Sequence, residues 1–180
     1  MATVFLSGSR RIGRLNDDIR RRLGNIVRQE MSIVVGDCNG ADRAFQADLA
    51  RIRYPNVKVF CSGGHCRNNL GGWPVEHVFV PKSAAPRDFY ARKDARMAAV
   101  ADFGFVLWDG ESRGSLGNII RLLNLGRKTL VYLAPERRLF PLARMSDMDR
   151  LLEACGRKRN GIEQPQPRRL LSHSGISLAA

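Results

Sequence analysis

Three short turns in this chain gather small, hydroxyl-bearing and charged residues where an anion could be held. Each directly follows an apolar run. The first is Ser7-Gly8-Ser9-Arg10-Arg11. A glycine there lets the backbone come close to an anion, and an arginine can pair with a phosphate. The second is Gly36-Asp37-Cys38-Asn39-Gly40-Ala41-Asp42. It leads into a helical pattern, so its amides would stand at the positive end of a helix dipole. Asp37 and Asp42 bracket this turn, which suits contacts to ribose hydroxyls; helix capping is the plainer role. The third is Asp109-Gly110-Glu111-Ser112-Arg113-Gly114-Ser115. Small residues and two hydroxyls ahead of a helix make a cradle of backbone amides for phosphate. The turn has no Walker lysine and does not match the dinucleotide pattern of three glycines, which disfavours both of those classes.

The elements that must carry these turns can be read from the apolar pattern. Thr3–Leu6, Ile33–Val35, Val57–Cys61, Phe103–Trp108 and Thr129–Leu133 are short apolar runs stopped by turn residues, as buried parallel strands are. Val75–Val80 adds a short extra strand. Between the runs lie segments of helical spacing. One starts at the Asn16-Asp17-Asp18 cap, one at Gly40-Ala41-Asp42, one spans Pro86–Ala101, and one runs through Leu116 and Leu123 to a stop at Gly126. A weak helix follows near Asp147–Cys155. Strands alternating with helices at this spacing predict a Rossmann-like three-layer α/β fold, a mostly parallel sheet flanked by helices. Ligands of such sheets bind beyond the carboxyl ends of the strands, where all three turns fall.

Together the turns resemble the SLOG superfamily, which takes in DprA-like DNA-processing proteins and LOG-type phosphoribohydrolases. The resemblance spans Thr3 to Leu133. It is carried by Arg92-Lys93-Asp94-Ala95-Arg96-Met97, then Phe105-Val106-Leu107, then Gly110 and Gly114-Ser115-Leu116. Gly36-Asp37 with Gly40-Ala41-Asp42 is similar to a glycine-alanine-aspartate turn of nucleotide-binding relatives. The resemblance implies a nucleotide or phosphorylated nucleoside as ligand, held by Gly8, Ser9, Arg10, Gly36, Asp37, Gly40, Ala41, Asp42, Lys93, Asp94, Trp108, Gly110, Ser112, Gly114, Ser115 and Asn118. It also implies cleavage at an N-glycosidic bond, yet the chain departs from that pattern at its chemical centre. Asn118 stands where the hydrolases carry a catalytic glutamate, and Lys93 where they carry an arginine. An amide cannot serve as a general base, and lysine lacks the bidentate guanidinium. A cleaving enzyme would need another carboxylate, with Asp37, Asp94, Asp109 and Glu111 as candidates; Glu111 and Asp109 come first as catalytic residues. The leading expectation is a binder or sensor. A nucleotide N-glycosidase is the alternative, and a DprA-like single-stranded nucleic-acid binder the second.

The remaining features set the context. A formal charge of +13 on 180 residues favours anionic partners and leaves the fold open. The stretch 156–180, with Arg157-Lys158-Arg159 and Arg168-Arg169, reads as a basic tail beyond a 1–155 domain and offers nucleic acid a second contact. Trp108 and Trp73 are candidates to stack on a base or cover the pocket, and packing is the commoner role of each. The loop holding Cys61, His65, Cys66, Arg67, Asn68 and Asn69 is long enough for a lid or specificity element. It lacks the second ligand pair of a zinc site, so neither metal nor cofactor is expected. No leader or membrane span is read, which implies a cytoplasmic protein with free thiols. Sheets of this type often pair, so a homodimer is carried as an expectation.

Overall fold

The structure, a computed structural model, describes residues 1–156 other than residues 82 and 84. The basic tail, apart from Gly156, lies outside the described residues. Seven strands form one sheet: β1 (Thr3–Gly8), β2 (Ser32–Gly36), β3 (Val57–Ser62), β4 (Val75–Val78), β5 (Phe103–Trp108), β6 (Lys128–Leu133) and β7 (Arg138–Leu142). Their order is β4-β3-β2-β1-β5-β6-β7. Every pair is parallel except β6 with β7. The helices are α1 (Asp17–Arg28), α2 (Ala41–Arg51), α3 (Pro86–Val100), α4 (Arg113–Asn124) and α5 (Met148–Ala154).

The central strands β1, β2 and β5 are largely apolar on both faces because helices cover both sides. Along β1, Val4 and Leu6 pack toward α1 and α2 with Ile19, Leu23, Phe45 and Leu49. Phe5, between them, points the other way, into Met97 and Ala98 of α3 and Ile119 and Leu122 of α4. The period of two along a strand thus places successive apolar residues in two separate cores. Helix ends follow local chemistry. The Asn16 side chain accepts from the Ile19 amide at 3.0 Å, Asp17 and Asp18 occupy the first turn of α1, and Arg28 its last. Gly126 takes φ +71° after α4, the left-handed geometry that suits a glycine.

The fold class is the one the sequence predicts, with one strand added. Leu139, Phe140 and Leu142 form the antiparallel edge strand β7, which the proline at 141 conceals from pattern reading. Proline donates no ladder hydrogen bond and is tolerated in β7 because the strand lies at the edge. No helix among the described residues is long and apolar enough to cross a membrane. Phe5 is fully buried between the sheet and α3–α4. Phe5→Ala should therefore cost about 3–5 kcal/mol in urea unfolding, with no matching loss for a surface change such as Lys58→Ala.

Candidate functional site

The strand order reverses between β1 and β5, since β2 to β4 build out from one side of β1 and β5 to β7 from the other. The loops leaving these two neighbours go to opposite faces of the sheet and open a crevice. A cleft of about 810 Å³ lies there. Its lining includes Ser7, Gly8, Ser9 and Arg10 from the end of β1, Asp42 from α2, Tyr90 and Asp94 from α3, and Asp109, Glu111 to Ser115, Gly117, Asn118 and Arg121.

Beneath the cleft sits a buried charge cluster. Lys93 on α3 is fully enclosed. Its Nζ donates to Asp37 Oδ1 at 3.2 Å and lies 3.9 Å from Asp42 Oδ2 and 4.0 Å from Asp94 Oδ1. Arg67 closes the far side of Asp37, with Nε donating to Oδ2 and Nη2 to Oδ1, each at 3.0 Å. Burial opposes the charge on Asp37, but the hydrogen bonds of Arg67 and the charge of Lys93 prevail and hold its carboxyl at about 2. Asp42 has weaker support. Burial pushes it up to about 6 against the pull of Lys93. Burial likewise raises Asp94. On Lys93 burial disfavours the charge, yet the surrounding carboxylates outweigh it and keep the amine protonated. Within about 4 Å two cations, Lys93 and Arg67, thus meet three carboxylates, of which Asp42 and Asp94 lie on the cleft side, with Arg121 and Arg10 also acting on Asp94.

The turn after β5 is internally satisfied. Asp109 Oδ1 accepts the amides of Glu111 at 3.1 Å and Ser112 at 2.7 Å, while Oδ2 accepts the Ser9 hydroxyl at 2.7 Å. These bonds overcome burial and lower the Asp109 carboxyl. Ser112 caps α4 by accepting from the Ser115 amide and hydroxyl. Glu111 is exposed and pairs with Arg11. Both expected catalytic carboxylates border the cleft, but Asp109 ties two loops together and Glu111 faces solvent beside an arginine. Asp94 is the better-placed carboxylate: it lines the cleft, is largely enclosed, and accepts from Asn118 Nδ2 at 3.2 Å. Asn118 also donates to Ser7 Oγ at 2.8 Å and accepts from Arg121 Nη1 at 2.8 Å.

The expected site residues separate into two groups. Gly8, Ser9, Arg10, Asp42, Asp94, Asp109, Glu111, Ser112, Gly114, Ser115 and Asn118 line the cleft. Gly36, Asp37, Gly40, Ala41, Lys93, Trp108 and Gly110 do not, and support it from behind. Three of the glycines answer to protein packing rather than to a ligand. A Cβ at Gly8 would sit 2.6 Å from the Leu107 carbonyl and 2.7 Å from Ala41 Cβ. One at Gly36 would strike the Asp42 carboxylate and Lys93 Nζ, and one at Gly40 the backbone of Arg10. Trp108 is wholly buried with its Nε1 donating to the Ser112 carbonyl, and so cannot stack on a base. Trp73 packs in the α1–α2 core with Nε1 donating to the Tyr54 carbonyl, and does not cover the cleft. Sequence reasoning missed Gly117 and Arg121, and it placed Ser7 in the first turn without counting it among the site residues. The spacing of Gly114, Gly117 and Arg121 was the available signal, since three- and four-residue steps share a helix face.

The cysteines divide as well. Cys38 and Cys155 remain thiols outside any disulfide, as expected, whereas Cys61 and Cys66 are joined in a disulfide, contrary to the expectation of free thiols throughout. The loop brings them together with Cα atoms 5.3 Å apart, within the reach of such a bond. Their sulfurs and an Asp37 oxygen lie within 4.8 Å of one another. Both Asp37 oxygens are taken by Arg67 and the sulfurs by each other, so this group offers a metal no free ligand.

The chain matches no protein-family model, no curated protein and no solved structure. Its site is therefore read from its own geometry. Asp42 gives the most direct check. Its folded carboxyl lies above the ordinary unfolded value, so its contribution to stability is full below about pH 4 and is lost as pH rises through about 6. Asp42→Asn should gain on the parent by on the order of 2 kcal/mol between about pH 4 and pH 7.5, measured by denaturant unfolding at each pH.

Proposed function

We propose that the cleft binds a nucleotide or phosphorylated nucleoside derivative, with phosphate against the start of α4 and ribose hydroxyls near Asp42 and Asp94. The observation that carries this reading is a bare strip on α4. Among the described residues a Cβ at Gly114 or Gly117 would meet nothing within 4 Å, and both residues line the cleft. Glycine inside a helix costs about 0.5–1 kcal/mol relative to alanine, and no neighbouring protein atom here requires it. The open space suits a ligand that comes up against the helix backbone, at the end where the dipole favours an anion. Arg113 and Arg121 flank the strip and Arg10 faces it from the end of β1, giving cations for phosphate. The buried carboxylates below suit hydroxyl donors. The resemblance to the SLOG superfamily points the same way.

Binding should be lost when the strip is filled. Gly117→Leu adds a side chain in open space on a helix, so the fold should keep its stability. Its affinity for nucleoside 5′-monophosphates, measured by titration calorimetry, should drop at least about tenfold. Full affinity in a folded Gly117→Leu protein would refute the placement.

A second reading, hydrolysis of an N-glycosidic bond, gains support from one side chain. Asp94 is a carboxyl raised by burial, inside the cleft, and steadied by Asn118. Such a carboxyl holds its proton more readily than an ordinary aspartate and can stand close to a developing oxocarbenium charge. If the protein releases free base from a nucleoside monophosphate, Asp94→Asn should lower the rate by about 100-fold or more, while Glu111→Gln leaves it within about threefold. Chromatography of the released base distinguishes the two variants.

A further inference from the structure

Arg67, which neutralises Asp37, directly follows Cys66 in the chain. Cys66 is bonded to Cys61, buried in β3, across Ser62-Gly63-Gly64-His65. Gly64 and His65 are exposed, so a small reductant can reach this loop. Beyond the bond, Arg67 is held through Asp37 itself, accepted from its amide at 3.2 Å and from its guanidinium at two points. Its Nη2 also donates to Cys38 Sγ at 3.0 Å, and its guanidinium lies 4.9 Å from the centre of the Tyr90 ring. Cys38 and Tyr90 both line the cleft. The disulfide therefore straps into place a cation that backs the cleft wall. Lys93 is the remaining cation on Asp37, and it already serves Asp42 and Asp94.

We propose that the Cys61–Cys66 disulfide is a reversible thiol control on the cleft: closed, it holds Arg67 on Asp37; reduced, it releases Arg67 and weakens the hold on anionic ligands. In the step a dithiol reductant gives two electrons and two protons to the disulfide. The S–S bond breaks to leave two thiols, and the reductant closes its own disulfide. Release takes a positive charge from behind Tyr90 and leaves Asp37 with Lys93 alone, so the field in the cleft turns more negative. The effect on affinity rests on the anionic-ligand reading. The effect on Arg67 and Asp37 does not.

The full chain tests both parts. Alkylation with iodoacetamide and mass spectrometry should find two reactive cysteines, Cys38 and Cys155, in the air-oxidised protein and all four after dithiothreitol. Four before reduction would overturn the proposal. Without ligand, Asp37 held at about 2 gives stability that is present above about pH 4 and lost as pH falls toward 2. That acid-side loss should shrink on reduction and shrink equally in oxidised Arg67→Ala; an unchanged acid limb in the reduced protein would overturn the proposal. With adenosine 5′-monophosphate as probe, reduction should weaken binding about tenfold, and Arg67→Ala should bind at the reduced level in both states. If Arg67→Ala still responds to reductant, the control does not run through Arg67 and the proposal fails. If the acid limb responds while the probe binds in neither state, the strap stands and the nucleotide reading falls.

Discussion

The structure turns on one buried amine. Lys93 is enclosed among Asp37, Asp42 and Asp94, and each carboxylate comes from a different place: the end of β2, the start of α2, and α3 itself. An ammonium removed from water is costly unless carboxylates surround it, and a carboxylate is costly unless a cation answers it. The groups are therefore mutually dependent, and they lock α3 against the ends of the central strands. The Arg67 loop joins the same network through Asp37. Even the glycine at 36 follows from it, because a side chain there would occupy the space of the Asp42–Lys93 contact. The two carboxyls that Arg67 does not reach, Asp42 and Asp94, lie on the cleft side, and burial raises both.

The cleft is a consequence of strand order. Because β1 and β5 are neighbours and their following loops diverge, no segment among the described residues fills the gap between them. The glycines around it serve two different purposes. Gly8 and Gly40 let the β1 turn, the β2 turn and α2 close against each other, which sets the cleft's rigid side. At Gly114 and Gly117 an added Cβ would meet no described residue, which leaves the opposite side bare. Alike in sequence, the two sets differ only in what surrounds them. The same contrast separates the carboxylates. Asp109 spends its oxygens on the amides of its own turn and on Ser9, whereas Asp94 keeps a place on the cleft with Asn118 beside it.

Much of the fold was legible because it depends on short-range rules. Apolar runs of strand length, the Asn16-Asp17-Asp18 cap and the Gly126 stop determine the alternation of strand and helix, and that alternation nearly dictates a parallel sheet. β7 escaped because Pro141 breaks the strand pattern, and only its edge position makes that proline harmless. The three turns were legible as neighbours for the same reason the strands were: all follow strand ends on one side of the sheet.

What the sequence by itself determined is the class of fold, the end of the sheet where the polar turns gather, and most of the residue types found there. Which of those residues line the cleft was decided by tertiary structure alone. Trp108 stands one residue before a cleft turn, yet strand pleat and helix packing bury it completely. Lys93 and Asp94 are adjacent in the chain, but one is sealed beneath the floor and the other opens onto it. Asp37 and Asp42 bracket a single turn, yet Arg67, far along the chain, and Lys93 lower the first while burial raises the second. Local rules set where a backbone turns; burial, charge balance and free space depend on segments distant in sequence, so they emerge only when the chain is folded.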